Sequence, residues 1–187
     1  MKRLVLLGCA LLALAAPVTA QTDEEIIERA VLAAPAGRGG TGQTEATVVT
    51  WDEDGTRRVL REGTNDFVCW DRSGQNGQRA FSVQCTNKGN LERYEQNLEF
   101  FRASSTPEEA KALMDAAEAD GTRVVPVFGS VYYYMSGTDQ ENAGQHLVVM
   151  VPFATNESLG LPGGRSANII SVMGGGSSGA HLMVPGR

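Results

Sequence analysis

His146 and His181 are the only imidazoles in the chain, and each opens a similar apolar run, His146-Leu-Val-Val-Met-Val-Pro152 and His181-Leu-Met-Val-Pro185. Imidazole suits zinc and copper, and thioether suits reduced copper. If the two runs were parallel neighbours in matching register, the rings would meet, and Met150, Met173 or Met183, or a carboxylate such as Asp139 or Glu141, would complete a metal site. Antiparallel neighbours would put the rings at opposite ends, as two strand-end histidines bonded to nearby backbone. Neither an H-x-H nor an H-E-x-x-H spacing is present. The expectation is therefore two rings further apart than direct coordination allows, with the identity of any metal left open.

Other candidate chemistry is weaker. Gly175, Ser177 and Gly179 match G-x-S-x-G, but that serine turn needs a helix after it and a base and acid later in the chain. Only eight residues follow Gly179, and they read as a strand. The same glycine and serine run lacks the Lys and Ser/Thr of a phosphate-binding loop. Asp52-Glu-Asp-Gly55 reads as a turn, because a calcium loop needs more oxygen ligands at fixed offsets. Asn156-Glu-Ser158 matches a glycosylation acceptor, which a bacterial export signal would leave unused. Tyr132, Tyr133 and Tyr134 must alternate between the two faces of a strand, so at least one ring is expected to be partly exposed. No motif calls for a cofactor or names a partner.

The segment MKRLVLLGCALLALAAPVTA has a basic start, an apolar stretch and small residues at its end, the pattern of a signal peptide covering 1–20. Its apolar stretch is short for a membrane span. A rival reading acylates Cys9 in a lipoprotein box, but leaves too little hydrophobic core before it. The expectation is a secreted or periplasmic single globular domain over 21–187, with no stable membrane anchor after cleavage. Without Lys2 and Arg3 the chain holds 14 basic residues against 22 acidic, a formal charge of −8. Such a surface disfavours nucleic acid and anionic lipid.

In an exported chain the remaining cysteines, Cys69 and Cys85, read as one disulfide. They flank a hairpin, NDFVCWD and RAFSVQC around SGQNGQ. A two-residue turn at Asn76-Gly77 would put the sulfurs on opposite faces. The disulfide thus selects an odd-length loop centred on Gly77, with Cys69 opposite Cys85 and Phe67, Phe81 and Val83 on the same buried face.

The elements that must position these groups follow from periodicity. Thr22 and Glu25 have capping-box spacing before a helix that Pro35 stops. AGRGGTGQT reads as a flexible connector, and ATVVTW and TRRVLREG as a hairpin around Asp54-Gly55. Asn90 is expected to cap a helix carrying Leu91, Tyr94, Leu98 and Phe101, and Thr106-Pro107 to open another. TRVVPVF, SVYYYM, QHLVVMVPF, ANIISVM and AHLMVP read as strands. The piece from 154 to 166 has no pattern, and loops of that length are often functional. The fold class is α+β, a mainly antiparallel sheet with hairpins, one N-terminal helix and two helices in the middle.

The blocks VLAAPAG, DGTRRVLREGTNDFVC, VPFATNESLGLP and HLMVP resemble those of a set of uncharacterised secreted bacterial proteins, which share LREGTN-x-x-x-C and the C-terminal strand. That set carries no known activity, so the resemblance implies export and transfers no functional residue. The leading functional expectation is a secreted or periplasmic, non-catalytic binding or structural protein. The alternative is an enzyme or metal-binding protein centred on His146 and His181.

Overall fold

The computed structural model describes residues 21–36, 41–75, 77–162 and 170–183. The signal-peptide reading and Cys9 lie outside the described residues, as do Asn76 and part of the 154–166 piece. The fold is α+β. The described helices are α1 (Asp23–Ala30), α2 (Thr41–Thr44), α3 (Leu91–Arg102) and α4 (Pro107–Ala119). The strands are β1 (Thr47–Trp51), β2 (Arg57–Arg61), β3 (Phe67–Asp71), β4 (Phe81–Asn87), β5 (Val131–Gly137), β6 (Gly144–Met150), β7 (Ser171–Met173) and β8 (His181–Met183). They form one sheet in the order β2-β1-β3-β4-β5-β6-β8-β7. It is mixed rather than uniformly antiparallel: β1 and β3 pair in parallel, because β2 folds back onto the outer edge of β1 and leaves its inner edge to β3. Every other described pairing is antiparallel.

The β3–β4 hairpin joins Cys69 opposite Cys85, with the two sulfurs 2.07 Å apart. Pairing runs on to Asp71–Val83, and Arg72 N–H donates to Ser82 O, so the loop is centred on Gly77, whose φ is +75°. Alternation then sorts the sheet into two faces. Val48, Cys69, Phe81, Val83 and Cys85 lie on one face, sealed by Ala30, Ala33 and Ala34 of α1 and the 3-10 turn after it, with Ile27, Phe67, Tyr133 and Met135 at the margin. The helix starts as its residues require: Thr22 Oγ1 accepts from Glu25 N–H, and Glu25 returns a carboxylate to Thr22 N–H.

On the second face, α3 covers only the β1–β3 side. There Val49, Val68 and Trp70 pack on Tyr94, with Trp51, Leu91 and Leu98 around them. The Trp70 and Tyr94 rings lie 4.4 Å apart, a contact of the kind worth about 0.5–1.5 kcal/mol beyond burial.

Three expectations fail here. The connector contains α2, whose Gly42 N–H donates to Ala36 O; a Cβ on Gly42 would lie 1.9 Å from Pro35 O, so only glycine permits this approach. TRVVPVF is not a strand. Its polar backbone groups are taken by helices instead: Val124 N–H donates to Gln96 Oε1, Val124 O accepts from Arg93, and Val127 N–H donates to Asn90 Oδ1. Pro126 moreover has no N–H to give a ladder. Asn90 precedes α3 but makes no capping bond with its side chain. Completely buried, it donates to Thr86 Oγ1 and Ser130 Oγ at 2.8 and 2.9 Å while accepting from Val127.

Candidate functional site

The register of the second face places side chains in rows. Trp70, Gln84, Tyr134 and His146 form one row across β3, β4, β5 and β6. Tyr132, Val148 and Met183 lie in the next, and Met150, His181 and Met173 in the one beyond. β6 and β8 are antiparallel, so His146 and His181 share a face but not a row. His181 stands opposite Met150, four residues along β6 from His146; at about 3.4 Å per residue that is a separation of roughly 14 Å. Among the described residues no group of three or more His, Cys, Asp or Glu side chains is placed to hold a metal ion. Asp139, one of the carboxylates considered beside the histidines, instead accepts from Asn142 in the β5–β6 turn.

What the two histidines do share is a cleft of about 1060 Å³ between this face and α3. Its floor is built by β4, β5, β6 and β8, including Gln84, Tyr132, Tyr134, His146, Val148, Met150 and His181. Its opposite wall is the stripe Arg93, Tyr94, Asn97, Leu98 and Phe101 of α3, and the β3–β4 loop closes one end with Arg72, Gln75, Gln78 and Arg79. Tyr132, Val148 and Met150 form a small buried cluster in its floor, with Tyr134 and Met183 packed against it.

The rings on the floor are ordered. Tyr132 and Tyr134 stack 6.0 Å apart at 11°, and Tyr134 and His146 lie 6.1 Å apart at 28°. The Arg72 guanidinium sits over Tyr134, 5.6 Å from its centre, held by the side-chain carbonyls of Gln84 and Gln78. Burial pushes the Tyr134 phenol up to about 12 and the Tyr132 phenol higher still; Arg72 works against the first shift, Arg93 and Arg123 against the second. Both phenols therefore stay protonated near neutrality and offer O–H donors. His181 Nδ1 lies 2.9 Å from Gly179 O. A carbonyl can only accept, so Nδ1 carries a proton, and in the neutral ring Nε2 is left as the acceptor.

A second polar group secures the α3 wall. Arg93 donates to Val124 O and Ser178 Oγ, and Glu118 of α4 accepts from the Ser178 N–H and hydroxyl. Burial lowers the Arg93 pKa, against the pull of Tyr132 and Glu118. Burial and then repulsion from Arg93 lower Arg123 to about 10. For Glu118 burial acts upward, but the Ser178 bonds and the two guanidinium groups outweigh it and hold the carboxyl below its ordinary value.

The remaining sequence candidates have local roles. Cys69 and Cys85 are fully buried in the core beneath α1. Ser177 of the G-x-S-x-G match donates to Gly174 O within its turn. Asn156 accepts from Val172 N–H at 2.8 Å and ties the described part of the 154–166 piece, 154–162, to β7. In the LREGTN block, Arg61 donates to the carbonyls of Gln43 and Ala46, and Asn65 to that of Thr41, so the block fastens α2.

The arginines of the cleft carry no motif in the sequence. The readable signal is in β4, where Phe81, Val83 and Cys85 alternate with Ser82, Gln84 and Thr86, and both sets are buried. A polar face that is nevertheless buried marks either a hydrogen-bonded layer or the floor of a site. No protein-family model, curated protein or solved structure was found to match the chain.

Proposed function

We propose that the chain is an exported, non-catalytic binding domain that holds a small molecule in the cleft between α3 and the β4–β5–β6–β8 half of the sheet. The observation that carries this reading is the asymmetry of the sheet: one face is sealed by α1, whereas half of the other lines a cleft of about 1060 Å³ that brings stacked rings and apolar side chains together with arginines, amides and hydroxyls. The lining mixes apolar and aromatic side chains with polar ones, and polar groups placed in such a concavity fix the orientation of a bound molecule. Export is supported by the signal-like 1–20 segment and by the buried Cys69–Cys85 disulfide, a bond that persists in oxidising compartments. Among the described residues no helix is long and apolar enough to cross a membrane. The histidine-centred enzyme or metal alternative is disfavoured because His146 and His181 stand two rows apart.

The test is a small-molecule screen by thermal shift, followed by NMR of the two imidazoles, whose ring resonances are few enough to assign by substitution. A ligand of the cleft is expected to move both His146 and His181 signals while leaving a reporter at Gly121, outside the cleft, unchanged. A screen in which stabilising compounds perturb neither histidine would overturn the reading. Mass spectrometry of material exported by a bacterial host is expected to find a chain starting at Gln21; retention of 1–20, or a lipid on Cys9, would refute the export component.

A further inference from the structure

Resting on that reading of the cleft, we infer that its ligand is a small organic anion with an apolar or aromatic body, the anionic group meeting Arg72 and the body lying among Tyr134, Val148 and Met150. The chain has a formal charge of −6, yet the cleft collects Arg72, Arg79, Arg93 and Arg102. Among the described residues the only carboxylate in its lining is Asp71, and that one is paired with Arg29 at 3.2 Å. In an acidic protein this is a concentration of positive charge at one place, and low-dielectric walls focus such a field on a small ion.

Arg72 is the best placed of the four. Of the exposed arginines outside the cleft, Arg57 is matched with Glu95 and Arg58 with Asp23, whereas the more buried Arg61 and Arg123 are, like Arg72, held by neutral oxygens. Arg72 forms no ion pair among the described residues; its two terminal nitrogens are held by neutral amide oxygens, which fix its position without cancelling its charge. A guanidinium has five N–H donors, so the two amides leave donors for an incoming oxygen. Arg93, by contrast, is committed to Val124 and Ser178 and belongs to the wall. The neighbouring phenols add O–H donors and no negative charge. The net acidity of the whole molecule argues for a small ion rather than a polyanion, whose length would carry it over the acidic surface.

The experiment titrates the full disulfide-bonded domain with 2-naphthoate, with its neutral isostere 2-naphthamide, and with a single-stranded oligonucleotide, by calorimetry and by imidazole NMR. We expect naphthoate to bind at least about tenfold more tightly than the amide, the scale of one charge-assisted bond. Arg72→Gln is expected to abolish that preference by weakening naphthoate far more than the amide, and Arg72→Lys to restore part of it. Arg79→Gln, at an exposed position of the same loop, reports on charge at the rim should the Arg72 variant lose its fold; it is expected to weaken naphthoate alone. Equal binding of the two probes in the cleft would overturn the anion inference and leave the binding reading standing. Failure of both probes to move the histidine signals, together with failure of the wider screen, would overturn the binding reading itself. A naphthoate preference that survives both substitutions, or tighter binding of the oligonucleotide, would refute the assignment to a small anion at Arg72.

Discussion

Replacing Asn90 by alanine tests whether a buried side chain, rather than a ladder of strands, holds the 122–130 segment. Asn90 is completely buried and makes three bonds of 2.8, 2.9 and 2.8 Å, to Thr86, Ser130 and Val127. In Asn90→Ala the two hydroxyls keep their other partners, Thr86 donating to Val131 O and Ser130 to Val127 O. The Val127 N–H loses its acceptor, at a cost of about 1–3 kcal/mol. The void left by the amide adds about 1 kcal/mol, for a total of about 2–4 kcal/mol. With a shift of about 2–4 °C per kcal/mol for a domain of this size, Tm should fall by about 4–16 °C. Urea unfolding followed by the fluorescence of Trp51 and Trp70, both packed against Tyr94, gives the free energy directly, with the slope against urea unchanged. Asn90→Asp keeps the acceptor for Val127 but removes both donors and buries a charge, so it is expected to be at least as damaging. An alanine variant within about 0.5 kcal/mol of the parent, the ordinary range of a surface substitution, would refute the reasoning, as would an aspartate variant milder than alanine.

Removing the disulfide by the double substitution of Cys69 and Cys85 with alanine should cost about 3 kcal/mol, the value for a closed loop of this size, and a loss below about 1 kcal/mol in urea would contradict it. Because the phenols of Tyr132 and Tyr134 are raised in the folded state, the stability they contribute is complete below about pH 10 and is lost as pH rises through the folded values; tyrosinate absorbance at 295 nm should therefore show a late fraction that appears together with unfolding, and its full development in the folded protein near pH 10 would contradict the burial argument. Glu118 is shifted the other way, so its contribution is present above its ordinary value of 4.5 and lost as pH falls through the folded value; Glu118→Gln should flatten the acid limb of the stability profile, and an unchanged limb would remove Glu118 from the account. A Cβ on Gly63 would lie 2.2 Å from Glu45 O and 2.3 Å from Thr47 N, so Gly63→Ala should destabilise by at least about 2 kcal/mol, on the scale of overpacking, whereas a near-neutral result in thermal unfolding would show that the β2–β3 turn can open.

Local structure was legible wherever one residue type has one use. Thr22 with Glu25, Asp54-Gly55 and Thr106-Pro107 each placed a helix start or a turn, and the cysteine pair chose the register of its own hairpin. What escaped were groups whose partners are distant in the chain. Val124 and Val127 read as strand residues because nothing nearby reveals that Gln96, Arg93 and Asn90 take their backbone groups. The parallel β1–β3 pair was hidden for a similar reason: two good hairpins in succession invite an antiparallel meander, and only packing decides which edge of β1 meets β3. The cleft was half visible. His146, His181, Tyr132 and Tyr134 stand out by residue type, but Arg72 and Arg93 look like any surface arginine until the fold sets Arg72 over Tyr134 and commits Arg93 to Val124 and Ser178.

The two outer strands set how this sheet behaves toward other copies of itself. An edge strand presents unpaired backbone groups that can recruit another strand. On one side the edge is β2, whose side chains include Arg57, Arg58 and Arg61; Arg57 and Arg58 are held in ion pairs with Glu95 and Asp23, so an added strand would have to displace or desolvate charged groups along this margin. On the other it is β7, only three residues long and too short to template a ladder. Among the described residues the sheet therefore ends in charged side chains at one margin and in brevity at the other, and both features work against growth by strand addition.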